Sequence, residues 1–478
     1  MWRGLLALGV LESIGIAAVT IVCRRQDRWG TIATAGLGFG VGLVVLTLSS
    51  FLASLCGLRP VWWFGTVEML VLLSVAVALR RDRLRAWRLA WPHAPWRAEP
   101  GWVRISEVAL GLFIVTLCLV VSTVSLLEPL AEWDVIAIWA LKAKVLLHEA
   151  IADSAYFSDV SKAFSHLDYP LLWPLAMTWV WAWTGHAELE VVKLLGPALL
   201  CALLATFYGI LRRHHERRLA LLFTALLAGV PMLLSQTSRL MSDPALAYFS
   251  TGAVGCCYVW LRSPDTGDDL RLAALFATGM LFTKNEGVGL LTLLVVAAAG
   301  VLLLRGDVRR SVSVIVWLGV VPLLLTAFWF VFRMDIPKVV EDYGGRIDPS
   351  YAWQNVSRLP QVFWAAFRYW GDFTDWLGLW PLTIAAVALG IKQCLRYPVN
   401  MLLAWVGLSL MMYGYVFVVT PWDPTDLMEV AANRLLVHVA PLAVLLVAEV
   451  TASMLDAGSD SSSCREAGRS RTLSRLVR

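Results

Sequence analysis

Charge is scarce in this chain of 478 residues: 16% are Asp, Glu, Lys or Arg, against roughly 25% in ordinary globular domains. The deficit runs along the whole length, which excludes a cytosolic protein and a disordered one. The polar–apolar alternation over about 10 residues that marks an outer-membrane barrel is missing. So is any obvious internal repeat, and nothing points to the duplicated halves common in transporters. The eight cysteines (Cys23, Cys56, Cys118, Cys201, Cys256, Cys257, Cys394 and Cys464) lie in or beside apolar runs, or near the C-terminus. None has metal-ligand spacing, and they read as packing residues.

What remains is apolar. Hydrophobic residues make up 59% of the chain, the mean hydropathy is +0.69, and long runs recur from Leu5 to Leu455. Most reach the roughly 20 residues that cross a bilayer. The fold class expected is therefore all-α: a polytopic helical membrane protein with about thirteen transmembrane helices and further amphipathic or interfacial helices on the outer face. The 24 tryptophans suit interfacial belts and the walls of amphiphile sites. The first run, Leu5–Val22, contains Glu12 and ends at Arg24-Arg25 with no small-residue cleavage site, so it reads as a retained span.

The spans fall near 4–22, 33–56, 61–79, 104–127, 188–211, 218–236, 244–261, 271–283, 287–304, 311–333, 374–391, 398–420 and 434–455. Basic loops lie at 24–28, 80–97, 212–218, 305–310 and 392–396, with a basic tail after 465. All can be cytoplasmic together if the N-terminus is outside and the C-terminus inside. The net charge of +5 thus reports orientation and implies no nucleic-acid partner. Tyr169–Thr184 is apolar but short and carries Pro170 and Pro174. It reads as an interfacial or re-entrant helix whose backbone protein must cover. The runs 271–283 and 287–304 flank a charged break, Thr283-Lys284-Asn285-Glu286-Gly287. The last 23 residues or so are expected to lack regular structure.

This orientation gives the non-cytoplasmic face three loops, 128–169, 334–373 and 420–433, with amphipathic helices expected near 134–150 and 353–370. Candidate chemistry collects there. Glu132-Trp133-Asp134 could deprotonate a hydroxyl or bind a divalent cation; the plainer alternative is a solvated loop with an N-cap aspartate. Lys142 and Lys144 lie about 200° apart on a helix, so one of them at most faces a site, and either could simply snorkel. His166, Asp168 and Tyr169 precede the proline-broken segment. Asp243, between Ser242 and Pro244, is a site carboxylate or a helix cap. Lys284 and Glu286 are charges in an apolar hairpin, costly unless paired or used. Arg434 opens the last span with His438 one turn deeper; it is shaped to grip phosphate, or it anchors on Glu429 or Asp426.

In order and sidedness these motifs resemble the GT-C superfamily of membrane glycosyltransferases. The nearer likeness is to the branch holding protein O-mannosyltransferases and lipid A aminoarabinose transferases. Glu132-Trp-Asp134 matches the ExD form of that family's first-loop acidic motif. His166-Leu-Asp168-Tyr-Pro170 is similar to its second-loop motif, Asp243 to the acidic residue opening a later span, and Lys284-Asn-Glu-Gly287 to its phosphate-contacting break. The resemblance covers roughly 103–447 and implies a catalytic core within 101–455. Residues 1–100 would be three additional helices with a basic loop, and 456–478 a cytoplasmic tail.

The resemblance implies transfer of a sugar from a polyprenyl-phosphate donor to an acceptor hydroxyl, by inverting displacement on the non-cytoplasmic face of a bacterial inner or plasma membrane. Asp134 would be the base, with Glu132 able to take that role. Lys284 and Arg434 would stabilise the leaving phosphate. Lys142 or Lys144, His166, Asp168, Tyr169, Glu286 and His438 complete the candidate substrate-binding set. Glu132, Asp134 and Asp243 are the candidate ligands of a divalent metal of open identity; no nucleotide or redox cofactor is expected. The acceptor, whether lipid, glycan or protein, is not given. The rival reading is a transporter or flippase for an amphipathic lipid, for which Glu12 is the kind of intramembrane charge required.

Overall fold

The computed structural model describes the chain except residues 24–27, 85–99, 265–266, 338–345, 347 and 477–478. The basic stretches expected at 24–28 and 80–97 lie largely outside the described residues, as does part of the loop 334–373. Among the described residues every regular element is helical and no strand occurs.

Ten helices among the described residues are long and apolar enough to cross a membrane: Trp2–Val22, Gly30–Leu55, Trp62–Leu79, Gly101–Leu127, Leu189–Arg212, Asp243–Arg262, Glu286–Leu304, Val308–Leu325, Val399–Val419 and Pro424–Asp456. Each coincides with an expected span. The other three expected spans depart from full length. Arg217–Ala228 and Pro231–Ser238 meet at 63°, because Pro231 has no N–H for the preceding turn. Asp268–Thr283 has 16 residues and Leu379–Leu389 has 11, about 24 and 17 Å at 1.5 Å per residue. Both fall short of the roughly 30 Å hydrocarbon core. Of the about thirteen spans expected, ten are thus matched among the described residues by helices long and apolar enough to cross, or eleven if the bent pair is one span.

The interior is built on Asp243–Arg262, whose apolar window is wholly buried, flanked by Asp268–Thr283, the last helix and Leu195–Arg212. Trp62–Leu79 and Gly101–Leu127 keep most of their apolar surface outward, as lipid-facing helices do. The N-terminal helices are no appendage: Gly30–Leu55 packs on Leu195–Arg212, Leu172–Thr184 and Asp268–Thr283. Trp2–Val22 approaches it so closely that a Cβ on Gly15 would sit 1.7 Å from the Gly38 carbonyl oxygen, the small-residue contact that membrane helices favour.

Leu172–Thr184 is a 13-residue helix, too short to cross. Trp173, Met177, Trp179 and Trp181 are buried, so protein covers its backbone as its prolines require. The last helix runs on to Leu476, whereas the sequence led us to expect no regular structure after 455. A helix already nucleated extends by one hydrogen bond per residue, which needs no apolar periodicity.

Candidate functional site

The break after Thr283 has the form expected. Lys284 is extended (φ −149°, ψ 158°) and the next helix starts at Glu286. A Cβ on Gly287 would lie 2.0 Å from the Met280 carbonyl oxygen; only glycine allows the two helices to close this tightly. The turn delivers the Lys284 amine to Asp243, the first residue of its helix.

Asp243 is fully buried and met by two cationic side chains and an imidazole. Lys284 Nζ donates to Oδ1 at 2.6 Å, His438 Nε2 stands 3.0 Å from the same oxygen, and Arg434 Nε donates to Oδ2 at 3.2 Å. The N-cap is Ser242 and Asp243 is the first helical residue, its carboxylate turned to these three side chains, so the cap alternative is not realised. The other end of the Arg434 guanidinium meets Asp134, Nη2 to Oδ2 at 2.7 Å. Arg434 therefore bridges two carboxylates more than a hundred residues apart in sequence, and not Glu429 or Asp426. One turn on, His438 Nδ1 lies 2.8 Å from the Tyr413 hydroxyl, while Lys284 also reaches Glu286 Oε1 at 3.3 Å.

Asp134 opens a helix that begins with a π turn, Asp134–Ala140, and continues as Leu141–His148, close to the amphipathic helix expected there. Glu132 lies away from the cluster, paired at 3.0 Å with Arg239 in a largely exposed contact. The three carboxylates of the proposed metal set do not converge on one point, Glu132 lying away at Arg239. Each already faces a cationic side chain, and among the described residues no group of three or more His, Cys, Asp or Glu could hold a metal ion.

A second network adjoins the first. Asn285 Nδ2 donates to Asp168 Oδ2 at 3.1 Å, and Arg333 Nη2 reaches the same oxygen at 3.2 Å. Lys142 is fully buried, donates to the His166 carbonyl oxygen and lies over the Trp139 and Tyr169 rings at 5.6 and 5.8 Å. Burial lowers its pKa to about 7, opposed by the Asp168 charge. His166 has a left-handed backbone (φ 49°) and stacks on Tyr169 at 4.9 Å. Lys144 is exposed, the opposite face that helical geometry required.

The structure thus joins Asp134, Asp243, Lys284, Glu286, Arg434 and His438 in one cluster, with Asp168 beside it through Asn285. Lys142, His166 and Tyr169 form a neighbouring aromatic pocket; Glu132 and Lys144 stand apart. Sequence reasoning missed Tyr413 and Arg333. Nothing distinguishes a tyrosine within an apolar span, and Arg333 reads as the end of one.

Beside the cluster runs an apolar groove of about 820 Å³, toward the upper end of the roughly 300–1,000 Å³ typical of small-molecule sites. Its walls are the amphipathic helix Leu359–Trp370, the helix Val399–Val419 and the last helix. They contribute Phe363, Ala366, Gly414, Leu435 and Leu436, and also Tyr413. Tyr413 links groove to cluster, since its hydroxyl is the one at His438. Phe363, Trp364 and Phe367 of the amphipathic helix are exposed. Comparison of the chain with known protein families, curated proteins and solved structures finds no match to any of them.

Proposed function

We propose that the chain is a GT-C-type membrane glycosyltransferase that moves a sugar from a polyprenyl-phosphate carrier to an acceptor hydroxyl on the non-cytoplasmic face. The observation that carries this reading is the meeting of an apolar groove with a cation cluster at Tyr413 and His438. An isoprenoid chain matches the groove, and its phosphate needs cationic donors at the groove's end. Arg434 and Lys284 suit it, as a fork and a point charge.

In the proposed reaction the Asp134 carboxylate takes the proton of the acceptor hydroxyl. The hydroxyl oxygen then forms a bond to the anomeric carbon as the bond from that carbon to the phosphate oxygen breaks. The electron pair leaves with the carrier phosphate, whose charge Arg434 and Lys284 neutralise. Asp243 holds both cations and His438 in place and takes no part in proton transfer. One displacement inverts the anomeric centre.

The test uses purified protein in lipid nanodiscs with a panel of polyprenyl-phosphate sugars and candidate acceptors, donor loss being followed by mass spectrometry. Release of polyprenyl phosphate that disappears in Asp134→Asn supports transfer. Donor translocation across a proteoliposome membrane without bond cleavage would put a lipid flippase in its place, and failure to bind any carrier would sink both.

A further inference from the structure

Three buried side-chain atoms without a hydrogen-bond partner belong to residues that flank the Asp243–Lys284 pair in the chain: Asn285 Oδ1, Glu286 Oε2 and Ser242 Oγ. In each of the first two residues the other polar atom is already held. Asn285 donates through Nδ2 to Asp168, and Glu286 Oε1 is held by Lys284. The side chains are therefore fixed, and an unused acceptor oxygen is left on each, closed off from solvent. Buried acceptors without donors are rare in folded proteins and costly.

Their chemistry selects what would satisfy them. The phosphodiester of a glycosylated carrier offers only acceptor oxygens and negative charge, so it cannot donate to Glu286 Oε2 or Asn285 Oδ1. A sugar ring offers hydroxyl hydrogens. A phosphate gripped by Lys284 and Arg434 would set its attached sugar next to residues 285 and 286. Resting on the carrier-phosphate reading above, we infer that Asn285 and Glu286 recognise the hydroxyl groups of the donor sugar and make the protein prefer the glycosylated carrier to the bare one. Ser242 Oγ, able to donate or accept, is the third member of this site. The same acceptors go unpaired once the sugar has left, which weakens the hold on the bare carrier and favours its release.

The test compares affinities by native mass spectrometry in nanodiscs, using a short-chain polyprenyl phosphate and a panel of its hexose and pentose conjugates. The wild type should bind at least one conjugate about tenfold more tightly than the bare phosphate, the effect of one hydrogen bond to a charged acceptor. In Glu286→Gln the amide oxygen stays on Lys284 and the NH2 group takes the place of Oε2, turning an acceptor into a donor. The preference should fall to threefold or less, with bare-phosphate binding equal or tighter. Asn285→Ala should lower the preference as well, and thermal unfolding verifies that each variant is folded. Equal binding of bare and glycosylated carriers by the wild type, or folded variants that keep the full preference, would overturn the inference and leave the carrier site standing. If the wild type bound no carrier at all, both readings would fall together.

Discussion

The Arg434 guanidinium lies 2.7 Å from Asp134, so the proposed base and the proposed phosphate grip are partners of each other. In the proposed reaction a phosphate arriving at Arg434 would compete with the Asp134 carboxylate and free it for the acceptor hydroxyl. The donor would thus bind before the acceptor is activated.

That competition predicts opposite effects from one substitution. Asp134→Asn should lower turnover by about 10²–10⁴-fold, the usual contribution of a general base. It should also tighten binding of bare polyprenyl phosphate about threefold to fivefold, since a pair about one-quarter exposed contributes on the order of 1 kcal/mol. Unchanged affinity would mean that Arg434 does not have to leave Asp134.

Asp243 is the structural hub. Replacing it by Asn leaves Lys284, Arg434 and His438 converging on a neutral amide, with Glu286 and Asp134 the carboxylates that remain on the two cations. Removing one partner of a buried pair costs about 3–5 kcal/mol. A large drop in Tm is expected for Asp243→Asn, partly restored in the double variant with Lys284→Met. If Asp243→Asn melted like the wild type, the cluster would not be holding this end of the bundle together.

Gly414 tests the groove without disturbing the cluster. A Cβ there meets nothing within 4 Å, and leucine in a helix is more favourable than glycine by roughly 1 kcal/mol. Gly414→Leu should therefore fold at least as well while narrowing the groove. Long-chain polyprenyl phosphate should bind several-fold more weakly and a water-soluble short-chain phosphate as before. Equal losses for both would place the tail elsewhere.

Lys142 carries a pH signature. Its pKa in the folded protein is lowered to about 7 from about 10.4 in an unfolded chain. Between these values the unfolded chain binds the extra proton, so stability rises with pH from about 7 to 10. Below pH 7 both states are protonated and the full cost of burying the charge is present. Lys142→Met should remove this dependence, as read from Tm against pH in the two proteins.

Trp133 and Trp422 are well exposed. Single cysteines at these positions, on a cysteine-free background, should react with an impermeant maleimide from the non-cytoplasmic side. Labelling only from the cytoplasmic side would reverse the proposed orientation.

Much of this arrangement was legible in sequence because depth and face leave traces in a linear pattern. The Lys284 break showed as charge within an apolar hairpin, and the Arg434–His438 spacing placed both on one face. Partners leave no such trace. Arg434 had nearer carboxylates in Glu429 and Asp426 but pairs with Asp134 and Asp243, because helix packing decides which neighbours meet. Glu132 stood as an alternative to Asp134, and the structure turns Asp134 toward the cluster and Glu132 toward Arg239. Tyr413 was invisible for a related reason: its role arises from a contact with His438, 25 residues later in the chain.

The order in which the Asp243 partners are synthesised bears on how the protein is made. Lys284 follows Asp243 by 41 residues, but Arg434 and His438 follow by 191 and 195. During translation a carboxylate and an amine can enter the bilayer together as a neutral couple, with the Asp134 carboxylate already waiting at the surface. The last helix then brings the arginine that ties the two carboxylates together. A ribosome that stalls before that helix would release a chain with an unfinished, charged seam in lipid, a state that membrane quality-control proteases can recognise.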